Sequence, residues 1–344
     1  CDMPSLIDIG LIALCGGVLG VLMMIPLRSA LIVKEHGTLG YPEGKACAEV
    51  LRAGEEGGAK ASTVFWGLGI AAVYKFVADG LKLFPSEVDY TIDAYKGSGF
   101  GVDVLPALAG VGYICGPRIS SYMFAGSTIA WFVLMPMIAL FGSDLVIYPA
   151  DVSVAELWAT GGTWGLWSKF IRYIGAGALA AGGIISLIKS LPMIVRTFAA
   201  AFRDYGKGAE GTLRTEQDIS MKIVVLVSLG IAVFMWLFPG IPVSLIGALI
   251  ILVFGFFFAT VSSRMVGLIG SSNNPVSGMS IATLLIATII LKATGSTGAS
   301  GMVGAIAIGS VICIIAAIAG DTSQDLKTGY IVGATPWRQQ IGEL

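Results

Sequence analysis

The chain has 344 residues, of which 56% are hydrophobic and 12% charged, with a formal net charge of −1; its mean hydropathy is +0.85. Soluble domains carry about a quarter charged residues, so this chain has roughly half the charge that a water-facing surface needs. The composition excludes a soluble enzyme, a nucleic-acid binder and a disordered chain, and its 47 glycines suit transmembrane helices. It predicts an all-α, polytopic transmembrane helical bundle, with the lipid bilayer as its surroundings and no global charge to attract nucleic acid.

A membrane-crossing helix needs about 20 mostly apolar residues. In chain order, the runs that meet or nearly meet this are 6–27, 61–83, 119–141, 170–190, 221–238, 243–261 and 301–319. Runs 102–116 and 276–291 are shorter and cross only if extended into their flanks or buried in a bundle. Together they make about nine crossings. None alternates with period two, which argues against a closed β-barrel. The first residue is Cys and no basic stretch precedes the first apolar run. No signal peptide is therefore expected, and the chain reads as an internal piece of a longer one.

Lys and Arg sort between the connections. Segments 28–60 and 189–222, the links holding Arg118 and Arg264, and the tail hold 15, against 4 in the alternate connections. By the positive-inside rule the basic loops and the C-terminus are cytoplasmic and the N-terminus is outside. Trp158, Trp164, Trp167 and Trp236 then fall near outer span ends, where an aromatic belt belongs.

An internal repeat is also predicted. Gly16-Gly17 with Pro26 corresponds to Gly182-Gly183 with Pro192, and Pro117 to Pro275. Each unit has four crossings, so successive units share orientation. The parallel units are 1–141, 142–300 with an outer acidic loop and a basic cytoplasmic loop, and 301–344 as the start of a third.

Several motifs carry chemistry. Segment 41–54, YPEGKACAEVLRAG, places Pro42 and Gly54 where a helix starts and ends and predicts an amphipathic cytoplasmic or re-entrant helix. Its Glu43 and Glu49 are candidate proton carriers. Lys75 and Asp79 lie four apart inside a span and predict a structural ion pair. Around Pro117, Tyr113 and Arg118 are candidate substrate contacts, because a guanidinium fork fits a carboxylate. Segment 270–275, GSSNNP, predicts a break, since proline removes a donor and disfavours helix before it. Polar groups freed at a broken membrane helix must find partners in protein, water or ligand. Ser272, Asn273 and Asn274 are therefore candidates for substrate binding. Asp321, Gln324, Asp325 and Lys327 follow directly on the last apolar run. They read either as a binding or proton-carrying cluster or as a helix end meeting water.

The five cysteines form no CxxC, and the lone His36 makes no histidine metal site. Neither a metal nor another cofactor is implied. Gly16 and Gly20 form one GxxxG, a weak signal in so glycine-rich a chain. Hydrolase and Walker motifs do not occur, so no enzyme activity is expected.

Five blocks carry a family resemblance: IPLRSALIVKEHGTLGYPEGKACAEVLRAG, PALAGVGYICGPRISSYMFAG, RYIGAGALAAGGIISLIKSLP, NNPVSGMSIATLLIATIIL and AGDTSQDLKTGYIVGATPW. They resemble the prokaryotic branch of the oligopeptide transporter (OPT) family over nearly the whole chain. The resemblance implies a membrane transporter of the prokaryotic inner (cell) membrane. Its relatives move small peptides, glutathione-type compounds or metal chelates, usually with protons, and are longer, with about sixteen spans. The leading expectation is secondary transport of short peptides or peptide-like zwitterions by proton symport and alternating access. Asp321 or Asp103 would face the amine, and Arg118 or Lys327 the carboxylate. Asn273 and Asn274 would hold the backbone, with Tyr113 and Ser272 alongside. Protons would ride on Glu49, Asp103, Asp321 or Asp325. A homo-oligomer is compatible. The competing readings are a metal-chelate (yellow stripe-like) transporter, a passive channel and an inactive truncated membrane scaffold.

Overall fold

The computed structural model describes residues 5–179, 181, 182, 185, 192, 213–296 and 298–344. The elements, in chain order, are α1 Leu6–Arg28, α2 Pro42–Glu56, α3 Gly58–Lys75, β1 Glu87–Thr91, β2 Gly99–Asp103, α4 Pro106–Ile129, α5 Met135–Phe141, α6 Val154–Leu166, α7 Met221–Leu237, α8 Leu245–Ile269, α9 Val276–Ala293, α10 Gly298–Val332 and α11 Pro336–Glu343. The all-α bundle expected from the sequence is present, with one short hairpin that hydropathy did not predict. Seven helical stretches among the described residues are long and apolar enough to cross a membrane. Nine crossings were expected. The difference lies in 170–190, which falls partly outside the described residues, and in 102–116 and 119–141. Those two runs form a single stretch, Pro106–Phe141. Gly183 and most of the basic segment 189–222 also lie outside the described residues.

The chain divides into two compact units, Cys1–Glu49 with Ala176–Leu344, and Val50–Gly175. In the first, Ser5 caps α1: its hydroxyl accepts from the Asp8 N–H (3.1 Å), and the Asp8 carboxylate accepts from the Ser5 N–H (3.3 Å). This reciprocal pair satisfies donors that a helix start leaves free. α1 continues through a π-helical turn, Ser29–Lys34. The core of this unit lies where α1, α8 and α10 meet, around Leu19, Met23, Ile251, Ile308, Val311 and Ile315. Close approach depends on small residues. A Cβ on Gly16 would lie 2.9 Å from Ile314, and one on Gly20 2.8 Å from Ile318, so the GxxxG is the face that α1 turns to α10. At the far end of α1, Arg28 donates to Asp218 at 2.6 Å, and Gln340 donates to the same carboxylate oxygen at 2.6 Å.

In the second unit, Met135, Val154, Leu166, Phe170 and Ile171 form a smaller core. The expected Lys75–Asp79 ion pair is present. β1 and β2 pair antiparallel, with Glu87 opposite Asp103 and Tyr90 opposite Phe100. Within α4, Gly116 has φ 77° and ψ 173°. The Ser120 hydroxyl reaches the Gly112 carbonyl at 3.3 Å, although eight residues of straight helix rise about 12 Å. The chain therefore bends sharply at Gly116-Pro117.

Candidate functional site

The polar break predicted at 270–275 is present in the first unit. α8 ends at Gly270, whose φ 87° and ψ 161° fall in a region used almost only by glycine. A single turn, Ser271–Asn273, follows, and Pro275 precedes α9. The freed groups are taken up locally. Gly270 N–H donates to Val266 O (2.9 Å), the Asn273 amide to Ile269 O (3.1 Å) and the Asn274 amide to the Ser262 hydroxyl (2.8 Å). The Asn274 side-chain oxygen, Oδ1, is buried with no hydrogen-bond partner among the described residues, which leaves an acceptor open at the break.

Two further groups of residues close around it. On α10, Asp321 accepts from the Ser271 hydroxyl of the break, while Thr322, Ser323, Gln324 and Lys327 are buried. Segment 35–44 packs against the same place. The Tyr41 N–H donates to Gly267 O (2.9 Å), the Gly44 N–H to the Gln324 side-chain oxygen (2.8 Å) and the Thr328 hydroxyl to Gly44 O (2.9 Å). Glu43 faces the break itself. One of its oxygens accepts from the Ser272 N–H (3.2 Å) and hydroxyl (3.1 Å), and the other from the Gln324 amide (2.6 Å).

One turn further along α10, the buried Lys327 ammonium meets no carboxylate among the described residues. Its Nζ lies 2.9 Å from His36 Nδ1 and 3.5 Å from the Ile32 and Leu39 carbonyls. It also lies 5.2 Å from the Tyr41 ring centroid and 5.8 Å from that of Tyr330. Burial, and then the Lys327 charge, push the His36 imidazole below its ordinary value. Burial, and then the Glu35 charge, push the Tyr41 hydroxyl far up, so it stays neutral. Glu35 is itself paired with Arg264 at 3.0 Å. Beside Asp325, the Glu343 carboxyl of α11 is pushed up to about 8 by burial and then by the Asp325 charge. That value lets it gain or lose a proton near neutrality.

Of the residues expected from the sequence, Ser272, Asn273, Asn274, Asp321, Asp325 and Lys327 fall together in the first unit, on the break and on α10. Glu49 lies on α2 and is exposed. Tyr113, Arg118 and Asp103 belong to the second unit, where all three are exposed and Arg118 contacts Tyr122 at 3.5 Å. The polar tail expected after 301–319 is no tail: α10 runs unbroken through it to Val332. Sequence reasoning missed the partnership of His36 and Tyr41 with Lys327, and the raised carboxyl of Glu343. A lone histidine in a segment rich in polar residues was the only available signal.

A family profile described as OPT oligopeptide transporter protein matches residues 3–344. A Haemophilus influenzae protein described as an oligopeptide transporter is 31% identical, over 96% of this chain and 55% of that protein. Two rice proteins (Oryza sativa subsp. japonica) are more distant. One, described as a metal-nicotianamine transporter, is 23% identical over 94% of this chain and 49% of its own length. The other, described as an iron-phytosiderophore transporter, is 21% identical over 94% of this chain and 50% of its own length. The chain spans about half the length of these relatives.

Proposed function

Because the chain belongs to the OPT oligopeptide transporter family, whose members are transporters and not enzymes, we propose that it forms part of a secondary transporter. Its cargo would be short peptides or peptide-like zwitterions, moved with protons by alternating access across the cell membrane. One observation carries this reading. The broken end of α8, the polar turn of α10 and segment 35–44 converge in a single polar cluster, buried at Ser323, Gln324 and Lys327 and exposed at Ser272 and Asp321. Discontinuous helices whose ends face polar cargo are a recurrent design of secondary transporters.

The chemistry suits a zwitterion. Asp321 would hold the amine and Lys327, which has no carboxylate partner among the described residues, would attract the carboxylate. The open side-chain oxygen of Asn274 and the Asn273 amide would hold the peptide backbone, with Ser272 alongside. Arg118, Tyr113 and Asp103 would serve on the second unit. Protons would ride on the Asp325–Glu343 pair, with Asp321, Glu49 and Asp103 as further carriers. The three parallel repeat units, 1–141, 142–300 and 301–344, would supply the moving bodies.

The test uses the longer protein that contains this segment, reconstituted in liposomes. Uptake of a radiolabelled dipeptide should rise when the outside is made acidic. Dipeptide uptake indifferent to an imposed proton gradient would end the coupling claim. The rice relatives favour a second reading, in which the cargo is a metal chelate. Iron-nicotianamine that blocks dipeptide uptake, and is itself accumulated, would select it.

A further inference from the structure

Glu43 is held in an unusual way for a carboxylate. Among the described residues no lysine or arginine pairs with it. Its partners are all neutral donors: the Ser272 N–H, the Ser272 hydroxyl and the Gln324 amide. The amide is aimed by construction, because its oxygen already accepts the Gly44 N–H. Only the NH2 end is left to face Glu43. Gly270 completes the site by omission, since a Cβ there would stand 2.5 Å from the nearer Glu43 oxygen.

Three convergent donors, one of them a backbone N–H at a helix break, make a socket for a carboxylate. Without a counter-cation, the resident carboxylate is held by hydrogen bonds alone. Donors of this kind pass readily from one carboxylate to another, because the exchange leaves the number of bonds and the charge unchanged.

We propose that the Ser272 N–H, the Ser272 hydroxyl and the Gln324 amide are the socket for the cargo's terminal carboxylate. In the empty protein Glu43 occupies that socket as an internal competitor. Cargo binding displaces the Glu43 side chain, while the Gly44 N–H stays on the Gln324 oxygen and keeps the amide aimed at the socket. The inference rests on the transporter reading above and gives that site its carboxylate end.

The experiment measures equilibrium binding to the longer protein in nanodiscs, using alanyl-alanine and its C-terminal amide. Removing an internal competitor strengthens binding of whatever competes for its socket. Glu43→Ala should therefore bind the acid at least tenfold more tightly and leave the amide within twofold of the wild type. Glu43→Gln, which keeps the volume and should fold even where Ala does not, should show the same selectivity with a smaller gain. Adding Ser272→Ala should cancel most of the gain. Acid and amide binding that weaken together, or strengthen together, would mean Glu43 is a structural strut and would overturn the proposal.

A second arm separates this idea from the transporter reading. Acetate should raise the melting temperature of Glu43→Ala, while acetamide should not. If acetate acts in this way but no peptide binds, the cargo assignment falls and the carboxylate socket stands. If peptides bind the wild type but Glu43→Ala gains nothing for the acid, the socket falls and the cargo assignment stands.

Discussion

Alanine at Gly270 separates two penalties that usually come together. The first is backbone strain. At φ 87° and ψ 161° a residue with a Cβ costs about 1–3 kcal/mol. The second is steric, because the new methyl would lie 2.5 Å from Glu43 Oε1 and the carboxylate must move away. That breaks the bonds from Ser272 and Gln324. A hydrogen bond to a charged group is worth about 1.5–3 kcal/mol net. Ser272 is exposed and regains water, so the loss amounts to about one such bond, roughly 1.5–3 kcal/mol. The total is about 2.5–6 kcal/mol. Gly116 provides the control. Its φ 77° and ψ 173° fall in the same glycine region and nothing lies within 4 Å of an added Cβ, so its alanine variant suffers the strain alone. At about 2–4 °C per kcal/mol for a domain of this size, Gly270→Ala should melt about 3–12 °C below Gly116→Ala. The assay is thermal unfolding in nanodiscs, followed by circular dichroism. Equal melting temperatures for the two variants would refute the reasoning. So would a Gly270→Ala penalty that keeps its full size in a Glu43→Ala background, where no carboxylate remains to be displaced.

Three other predictions concern charge. Lys327→Gln should raise the titration midpoint of His36 toward its ordinary value, though not fully, because burial depresses it more than the Lys327 charge does; NMR of the chain's one histidine would show it, and an unmoved midpoint would contradict the contact. Asp218→Asn should destabilise by about 3 kcal/mol, because it leaves the buried Arg28 without its charge partner; replacing both residues by leucine should cost much less, as chemical denaturation can measure. The Glu343 carboxyl holds its proton more tightly folded than unfolded, so stability should fall as pH rises from about 4.5 to about 8 and then level off. Glu343→Gln should remove that slope, and melting temperatures that retain it would assign the slope to another group.

What the sequence revealed divides by range. Spans, the 270–275 break and the Lys75–Asp79 pair depend on neighbours within a few turns, and hydropathy and proline read such neighbours directly. The polar cluster is a matter of long separations. Glu43 meets Ser272 across 229 residues and Gln324 across 281, and Lys327 meets His36 across 291. No periodicity carries that information. The end of α10 was misplaced for a different reason. Asp321, Gln324 and Asp325 end a hydropathy window, but they do not end a helix, and the backbone turns only at Gly333, where φ reaches 74°. The β1–β2 hairpin escaped because strands of five residues lie below the scale of a search for spans.

The unbroken course of α10 has a mechanical meaning. Its 35 residues extend about 52 Å at 1.5 Å per residue, against a hydrocarbon thickness of about 30 Å. The apolar part and the polar part are thus one rod. From the middle of the apolar part, near Gly309, to Lys327 is about 27 Å. A tilt of about 10° around that midpoint would sweep Lys327 sideways by about 5 Å, enough to part it from His36. α10 can therefore act as a lever, turning a small rocking of the buried core into a displacement, at the polar end, as wide as a peptide unit.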